Sequence, residues 1–266
     1  MSGSRTGRVE IHLLANRLSD RDWGILRWLH QHRYATTDQL RRVFFPAHAT
    51  TAAATRACLR VLDRLATNRI VTRLERRIGG VSHGSAGFVW CLDAVGDRLT
   101  RPGEGTRRRV AEPSRPFLAH TLAVTDVHVQ LHEAARQGAF QVSRMEVETE
   151  AWRDYVGPGG VRSILKPDLM VTISSDVYDD HWYIEVDFGT ESLPVLLRKC
   201  RAYEAYRRSG RAQDEHGVFP RVLWVLSTPA RLTKLVTAIG AESPLPSRLF
   251  VCITPEALIA TLRDPP

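Results

Sequence analysis

Apolar residues recur with the period of an α-helix in three stretches near the start of the chain. The first stretch begins after Ser19, the second covers 38–45, and the third runs from residue 50 or 51 to about 68. Ser19 and Asp22, three residues apart, form a capping-box pattern, and Thr37 is predicted to cap the second helix. The pattern therefore predicts three short helices.

Two β-strand patterns follow these helices. They cover 70–77 and 88–92, and the segment between them is rich in glycine, which is typical of a hairpin tip. Three helices and a hairpin are typical of a winged helix-turn-helix, in which the third helix enters the major groove of DNA and the hairpin forms the wing. We predict this domain over residues 1–100.

A segment rich in proline, glycine and arginine at 101–116 is predicted to be a linker. In the region after it, 117–266, a long helical pattern over 118–137 is followed by alternating strands and helices. The predicted strands are at 139–150, from 168, at 182–188, at 222–226 and at 249–253, and the predicted helices are at 192–209, 230–239 and 255–262. This α-β-β-β-α-β order with an αβα extension predicts an α/β domain built on a mixed sheet.

The formal net charge of +8 is distributed unevenly. Residues 1–117 contain 21 basic and 10 acidic residues, giving +11, whereas residues 118–266 contain 16 and 19, giving −3. A basic first region favours double-stranded DNA as its partner. A solvated row of arginines without DNA is the alternative interpretation. The predicted DNA contacts are the arginines on the outer face of the third helix and those of the wing: Arg56, Arg60, Arg64, Arg73, Arg76 and Arg77.

Acidic residues gather at two neighbouring strands of the second region. Asp168 opens one strand, while Glu185 and Asp187 lie in the next and project to the same side because strand residues alternate between faces. Clustered carboxylates on a sheet face need a counter-ion, and a hard divalent cation such as Mg²⁺ is the expected one. The preceding strand places three more acidic residues on one face: Glu146, Glu148 and Glu150. One of them is a further candidate ligand, and an exposed strand face explains the other two.

The few lysines of the chain also indicate the acidic cluster as a candidate site. Of the 37 basic residues, 34 are arginine, and two of the three lysines flank the acidic cluster. Lys166 is next to Pro167-Asp168, and Lys199 lies on the following predicted helix. Lysine is a compact point charge that arginine does not replace well, so a site that needs such a charge would retain it. Chance placement of so few lysines is the alternative.

Pro167-Asp168 and Glu185-Val186-Asp187, set in this order of elements, resemble the PD-(D/E)XK nuclease superfamily. The whole layout is similar to the replication-relaxation family of actinobacterial plasmid-borne proteins. The matching stretches are 18–23, 120–126, 166–168, 185–191, and Lys199 with Tyr203.

The resemblance implies a restriction-endonuclease-like fold in which an Asp and a Glu bind magnesium and a Lys positions the attacking water. Asp168 and Glu185 occupy the two acidic positions. The third motif position, normally Lys, is Asp187 here, so Lys199 is the best candidate for the relocated lysine and Asp187 becomes an additional expected ligand. The implied activity is metal-dependent nicking or cleavage of DNA, with other plasmid replication or transfer proteins as further partners.

Other features narrow the class of protein. The four cysteines are scattered, which is unlike a zinc finger or a disulfide framework, and no P-loop motif is present. No apolar run is long enough to span a membrane, so no membrane partner and a cytoplasmic location are expected. Winged helices often dimerise, so a homodimer is a further expected partner. The alternative to a nuclease is a non-enzymatic DNA-binding accessory protein or transcriptional regulator with an inactive nuclease fold.

Overall fold

A computed structural model describes residues 8–74, 87–101, 112–175, 179–189, 191–243 and 245–265. The chain divides into two compact units, unit 1 at 1–129 and unit 2 at 130–266, and the division falls inside one long helix. Residues 102–111 of the predicted linker lie outside the described residues. In the described part of the chain, no helix is both long and apolar enough to cross a membrane.

Unit 1 contains the three predicted helices and a small sheet. Its elements are α1 (Arg8–Ala15), α2 (Asp20–His32), β1 (Ala35–Thr36), α3 (Thr37–Phe44), α4 (Thr51–Thr67), β2 (Val71–Arg73), β3 (Val89–Leu92), α5 (Ala94–Thr100) and the first part of α6 (Arg115–Arg136). The strands are antiparallel in the order β1-β3-β2. The described parts of the two predicted wing strands are therefore paired, and residues 75–86 between them lie outside the described residues.

The helix caps of unit 1 follow the sequence with one error. The Ser19–Asp22 capping box is confirmed at the start of α2. The predicted cap of α3 was wrong by one residue, because Thr36 is the N-cap. Thr37 is instead buried, and its hydroxyl accepts a hydrogen bond from the indole N–H of Trp90 at 2.9 Å. A threonine pair cannot be resolved by a local pattern when a partner more than fifty residues away decides which hydroxyl turns inward.

The core of unit 1 lies between α2, α4 and the sheet. Leu62 and Leu65 of α4 are fully buried, and Leu59 is partly buried against the same cluster. The buried side chains that they join include Ile25, Leu26 and Leu29 of α2, Val71 of β2 and Trp90 of β3. Burying this apolar face fixes the opposite face of α4 toward solvent.

Unit 2 is built on a five-stranded mixed sheet of order β10-β9-β8-β7-β4. Strands β4, β7 and β8 are antiparallel, whereas β8, β9 and β10 are parallel, so the predicted mixed sheet is confirmed. The elements after α6 are β4 (Gln141–Val147), β5 (Arg153–Val156), β6 (Arg162–Leu165), β7 (Leu169–Ser174), β8 (Asp179–Asp187), α7 (Leu193–Arg208), α8 (Arg211–His216), β9 (Arg221–Leu226), α9 (Pro229–Ala241), β10 (Phe250–Ile253) and α10 (Leu258–Arg263).

The predicted strand at 139–150 is shorter than the sequence indicated. It ends at Val147, and a single 3₁₀ turn, Glu148–Glu150, follows it. Glu148 has a φ of 54°, which interrupts the strand alternation and turns the chain toward the separate β5–β6 hairpin. The expectation that Glu146, Glu148 and Glu150 share one strand face was therefore wrong.

Candidate functional site

The strand register brings Asp168 and Glu185 together. Asp168 directly precedes β7, and Leu169 pairs with Ile184 of β8. Because the strands are antiparallel, one step further along the register places Asp168 opposite Glu185. The Asp168 Oδ2 accepts a hydrogen bond from the backbone N–H of Val186 at 2.8 Å, which fixes this carboxylate against β8.

Helix α7 covers Glu185 and supplies two donors to it. The Glu185 side chain is 1% exposed. The Nζ of Lys199 donates to Glu185 Oε2 at 3.0 Å, and the hydroxyl of Tyr203 donates to Oε1 at 2.7 Å. Lys199 and Tyr203 are four residues apart and so lie on the same face of the helix. Both oxygens of a buried carboxylate are thus hydrogen-bonded, as burial of a charge requires.

Lys199 contacts a second carboxylate. Its Nζ lies 3.1 Å from Glu191 Oε2, so the ammonium bridges Glu185 and Glu191. Burial by itself lowers the pKa of Lys199, but the negative charges of Glu185, Asp168 and Glu191 outweigh burial and raise that pKa above its ordinary value. Lys199 is therefore a fixed positive charge at neutral pH and cannot serve as a general base.

At Glu185, in contrast, the effect of burial on the pKa exceeds the effect of the neighbouring groups. Burial raises its pKa to about 7, and the nearby Asp168 charge adds to that rise, while Lys199 and the Tyr203 hydroxyl oppose it. A carboxyl group in this environment changes its ionisation close to neutral pH, where a divalent cation would favour the ionised form.

We expect Glu185→Gln to alter stability in a pH-dependent way in buffer without divalent ions. The folded-state pKa of about 7 lies above the ordinary value of 4.5, so the stability contributed by this group is complete below about pH 4.5 and is lost as pH rises to about 7. Glutamine does not ionise, and the variant should gain about 3 kcal/mol relative to the wild type between about pH 5 and pH 8. Urea unfolding of both proteins at both pH values measures this gain. If the stability difference between Glu185→Gln and the wild type is the same at both pH values, the pKa of Glu185 is not raised.

Asp187 is on the same strand but has its own counter-ion. Its buried carboxylate pairs with the guanidinium of Arg231 from α9, with Nη2 at 2.9 Å from Oδ1. The same guanidinium donates to the backbone oxygen of Glu191, and Asp187 Oδ1 accepts from the backbone N–H of Gly189 at 3.2 Å. The Asp187–Arg231 pair therefore binds the backbone of the segment that follows β8 and holds it in position.

Two other predicted residues of unit 2 have contacts of their own. Lys166 is exposed, and its Nζ lies 4.4 Å from the ring centroid of Trp152. Glu146 forms ion pairs with Arg144 and Arg153. Within the described residues, no group of three or more His, Cys, Asp or Glu side chains is arranged to hold a metal ion. Of the predicted site residues, the structure brings together Asp168, Glu185 and Lys199.

The predicted DNA-contacting arginines of α4 are all exposed: Arg56, Arg60 and Arg64. Arg64, however, pairs with the buried carboxylate of Asp22 at the start of α2, with Nη2 at 2.6 Å from Oδ1. Burial raises the pKa of Asp22, but hydrogen bonds from Arg64 and Ser19 bring that pKa below its ordinary value. Arg64 has a partner within unit 1, whereas Arg56 and Arg60 form no such ion pair with the described residues.

The arginines predicted for the wing are described only in part. Arg73 is exposed, and its guanidinium lies 4.0 Å from the ring centroid of Phe88 on the neighbouring strand segment. Arg76 and Arg77 lie outside the described residues.

Sequence reasoning did not identify Arg231 as part of the site. It lies 44 residues from Asp187, and no local motif connects an arginine at the start of a helix with a strand that far upstream. A weak signal for Glu191 and Tyr203 existed, since both belong to the stretches that carry the family resemblance.

A comparison with protein-family models finds a match to a described family. The replication-relaxation model matches residues 26–222, which is most of the chain and includes Asp168, Glu185 and Lys199. The chain therefore belongs to the replication-relaxation family. No curated protein and no solved structure matches the chain significantly.

Proposed function

We propose that this protein is a DNA-binding protein of plasmid replication or relaxation in which unit 1 is a winged helix and unit 2 is a metal-dependent phosphodiesterase of the PD-(D/E)XK type. The observation that carries the proposal is the convergence of Asp168, Glu185 and Lys199 at one end of the β7–β8 pair. Membership of the replication-relaxation family supports the biological context.

The donor set of the site fits Mg²⁺. This ion commonly uses one or two protein carboxylates and fills its other positions with water and substrate phosphate, so a third acidic ligand is not required. Asp168 and Glu185 would hold it, since their carboxylates occupy opposed positions on neighbouring strands. When bound, such an ion supplies charge stabilisation at a phosphodiester and lowers the pKa of a coordinated water.

The protein side chains then have separable roles. Lys199 is a protonated donor that orients the attacking water and neutralises charge at the phosphate. Tyr203 holds the Glu185 carboxylate in position. Asp187 holds the segment after β8 through Arg231, which leaves it less available as a metal ligand than its sequence position suggests.

The DNA-binding role of unit 1 is supported by shape and charge. Helices α2 to α4 and the β1-β3-β2 sheet are the set of elements that a winged helix contains. Helix α4 carries the exposed arginines Arg56 and Arg60. The +11 charge of residues 1–117 favours a polyanionic partner, and duplex DNA is the one that a helix on such a scaffold fits.

A non-enzymatic accessory or regulatory DNA-binding protein is the second candidate function. One observation favours it: the ammonium of Lys199 already bridges Glu185 and Glu191, so part of the negative charge at the site is compensated by the protein itself. In that case unit 2 would be an inactive nuclease fold.

The deciding experiment incubates supercoiled plasmid carrying the cognate site with the protein and Mg²⁺ or Mn²⁺. We expect nicking or cleavage by the wild type and a loss of at least about 100-fold in Asp168→Asn and Glu185→Gln, because each removes a charged ligand of the ion. Asp214→Asn, at an exposed position of α8, has the same charge change and should cut normally. Absence of metal-dependent nicking, or cutting by both site variants at the wild-type rate, would leave the non-enzymatic function.

A further inference from the structure

The β5–β6 hairpin of unit 2 carries a group of exposed apolar side chains. Three of the eight large apolar side chains that are exposed in the described part of the chain lie on this one hairpin. They are Val156 at 60%, Val161 at 63% and Ile164 at 50% exposure. Exposed apolar side chains that gather on one short element are typical of an interaction surface.

The strand register places two of these side chains on the same face as two charged residues. β5 and β6 are antiparallel, with Val156 opposite Arg162 and Asp154 opposite Ile164. Because side chains alternate between the two faces along each strand, these four residues share one face, which we call the outer face. All four are exposed.

The other face of the hairpin is packed on unit 2. Tyr155 and Leu165 are buried in the same apolar cluster as residues of α7. The ring centroid of Tyr155 lies 5.2 Å from that of Tyr206 on α7. This packing holds the hairpin against the domain, so the outer face is presented to solvent by a fixed element.

The two charged residues of the outer face stand at opposite corners. Asp154 and Arg162 are diagonal to each other in the register, and so are Val156 and Ile164. Neither Asp154 nor Arg162 forms an ion pair with another described residue. One carboxylate and one guanidinium leave the face without net charge, so a polyanion such as DNA is not the partner that it fits.

We propose that the outer face is the surface through which two copies of this chain form a homodimer. A twofold axis in the plane of the face, close to the line through Val156 and Ile164, exchanges the positions of Asp154 and Arg162. Each carboxylate then pairs with a guanidinium of the other copy, while the two apolar side chains pack against their own counterparts. A face whose charges exchange in this way is self-complementary, as a contact between identical copies requires. The inference goes beyond the proposed function, since it depends on neither DNA nor a metal ion.

Sedimentation velocity of the full-length protein over a range of concentrations, without DNA, tests for the dimer. Because the outer face is small, we expect a reversible dimer with a Kd on the order of 10 μM. Ile164→Ser should weaken it at least about tenfold, since it removes the apolar centre of the contact. Val236→Ser changes an exposed apolar residue of α9 and should dimerise as the wild type does. A wild type that stays monomeric up to about 100 μM would overturn the proposal and leave the face to a partner of another sequence.

Charge reversal tests whether the outer face is the contact. Asp154→Arg sets guanidinium groups against each other, and Arg162→Asp does the same with carboxylates, so each variant alone should dimerise at least about tenfold more weakly. An equal mixture of the two variants should recover the dimer, because every guanidinium then faces a carboxylate. Asp214→Arg, at an exposed position of α8, makes the same change of charge and should dimerise normally. Dimerisation that is insensitive to both reversals, or variants that stay monomeric when mixed, would exclude the outer face as the contact between copies.

Discussion

Replacing Lys199 by methionine is expected to destabilise unit 2 by about 3–5 kcal/mol at about pH 8, because it leaves the buried Glu185 carboxylate without its ammonium partner. Methionine keeps a similar length and apolar stem, so the change isolates the charge. Near pH 5 the loss should be smaller, since the raised pKa of Glu185 means that this group is then largely protonated. Urea unfolding of the wild type and Lys199→Met at both pH values measures the difference.

A double variant separates charge from packing. Adding Glu185→Gln to Lys199→Met removes the unpaired carboxylate, so most of the lost stability should return at about pH 8. Cleavage should not return, because the ligand and the positioned cation are both missing. A double variant as unstable as the single one would mean that Lys199 stabilises α7 by packing, and restored cleavage would exclude the proposed roles of both residues.

Local patterns predicted the part of the candidate site that depends on strand geometry. Glu185 and Asp187 alternate with apolar residues on β8, and Asp168 directly precedes the antiparallel neighbour β7, so the approach of Asp168 to Glu185 follows from a period of two and a hairpin. Lys199 was selected by composition, because a lysine in an arginine-rich chain is unusual. Its contact with Glu185 depends on the placement of α7 over the sheet.

The parts that could not be predicted depend on distant partners. Arg231 decides that Asp187 holds the backbone after β8, and nothing near Asp187 in the sequence indicates it. Similarly, the exposed row on α4 was predicted from helical period, but the pairing of Arg64 with Asp22 requires the packing of α4 against α2. Glu148 was assigned to a strand face because its backbone turn has no glycine or proline to mark it.

The difference between Arg64 and its neighbours leads to a test of DNA binding. We expect the double variant Arg56→Ala/Arg60→Ala to bind its duplex site about 10- to 100-fold more weakly at low salt, because two exposed cations leave the outer face of α4. The slope of log affinity against log salt concentration should fall by about 1.8, since each lost phosphate contact removes about 0.9. Electrophoretic mobility shifts or anisotropy across a series of salt concentrations give both quantities.

The control has the same loss of charge at other positions of unit 1. Arg17→Ala/Arg27→Ala removes two exposed arginines, one just after α1 and one in α2, and it should leave the slope close to that of the wild type. Arg64→Ala should act differently from both, lowering the stability of unit 1 because the buried Asp22 loses its partner while the slope changes less. If the Arg56/Arg60 and Arg17/Arg27 variants reduce the slope equally, the effect comes from net charge alone, and α4 is not the helix that contacts DNA.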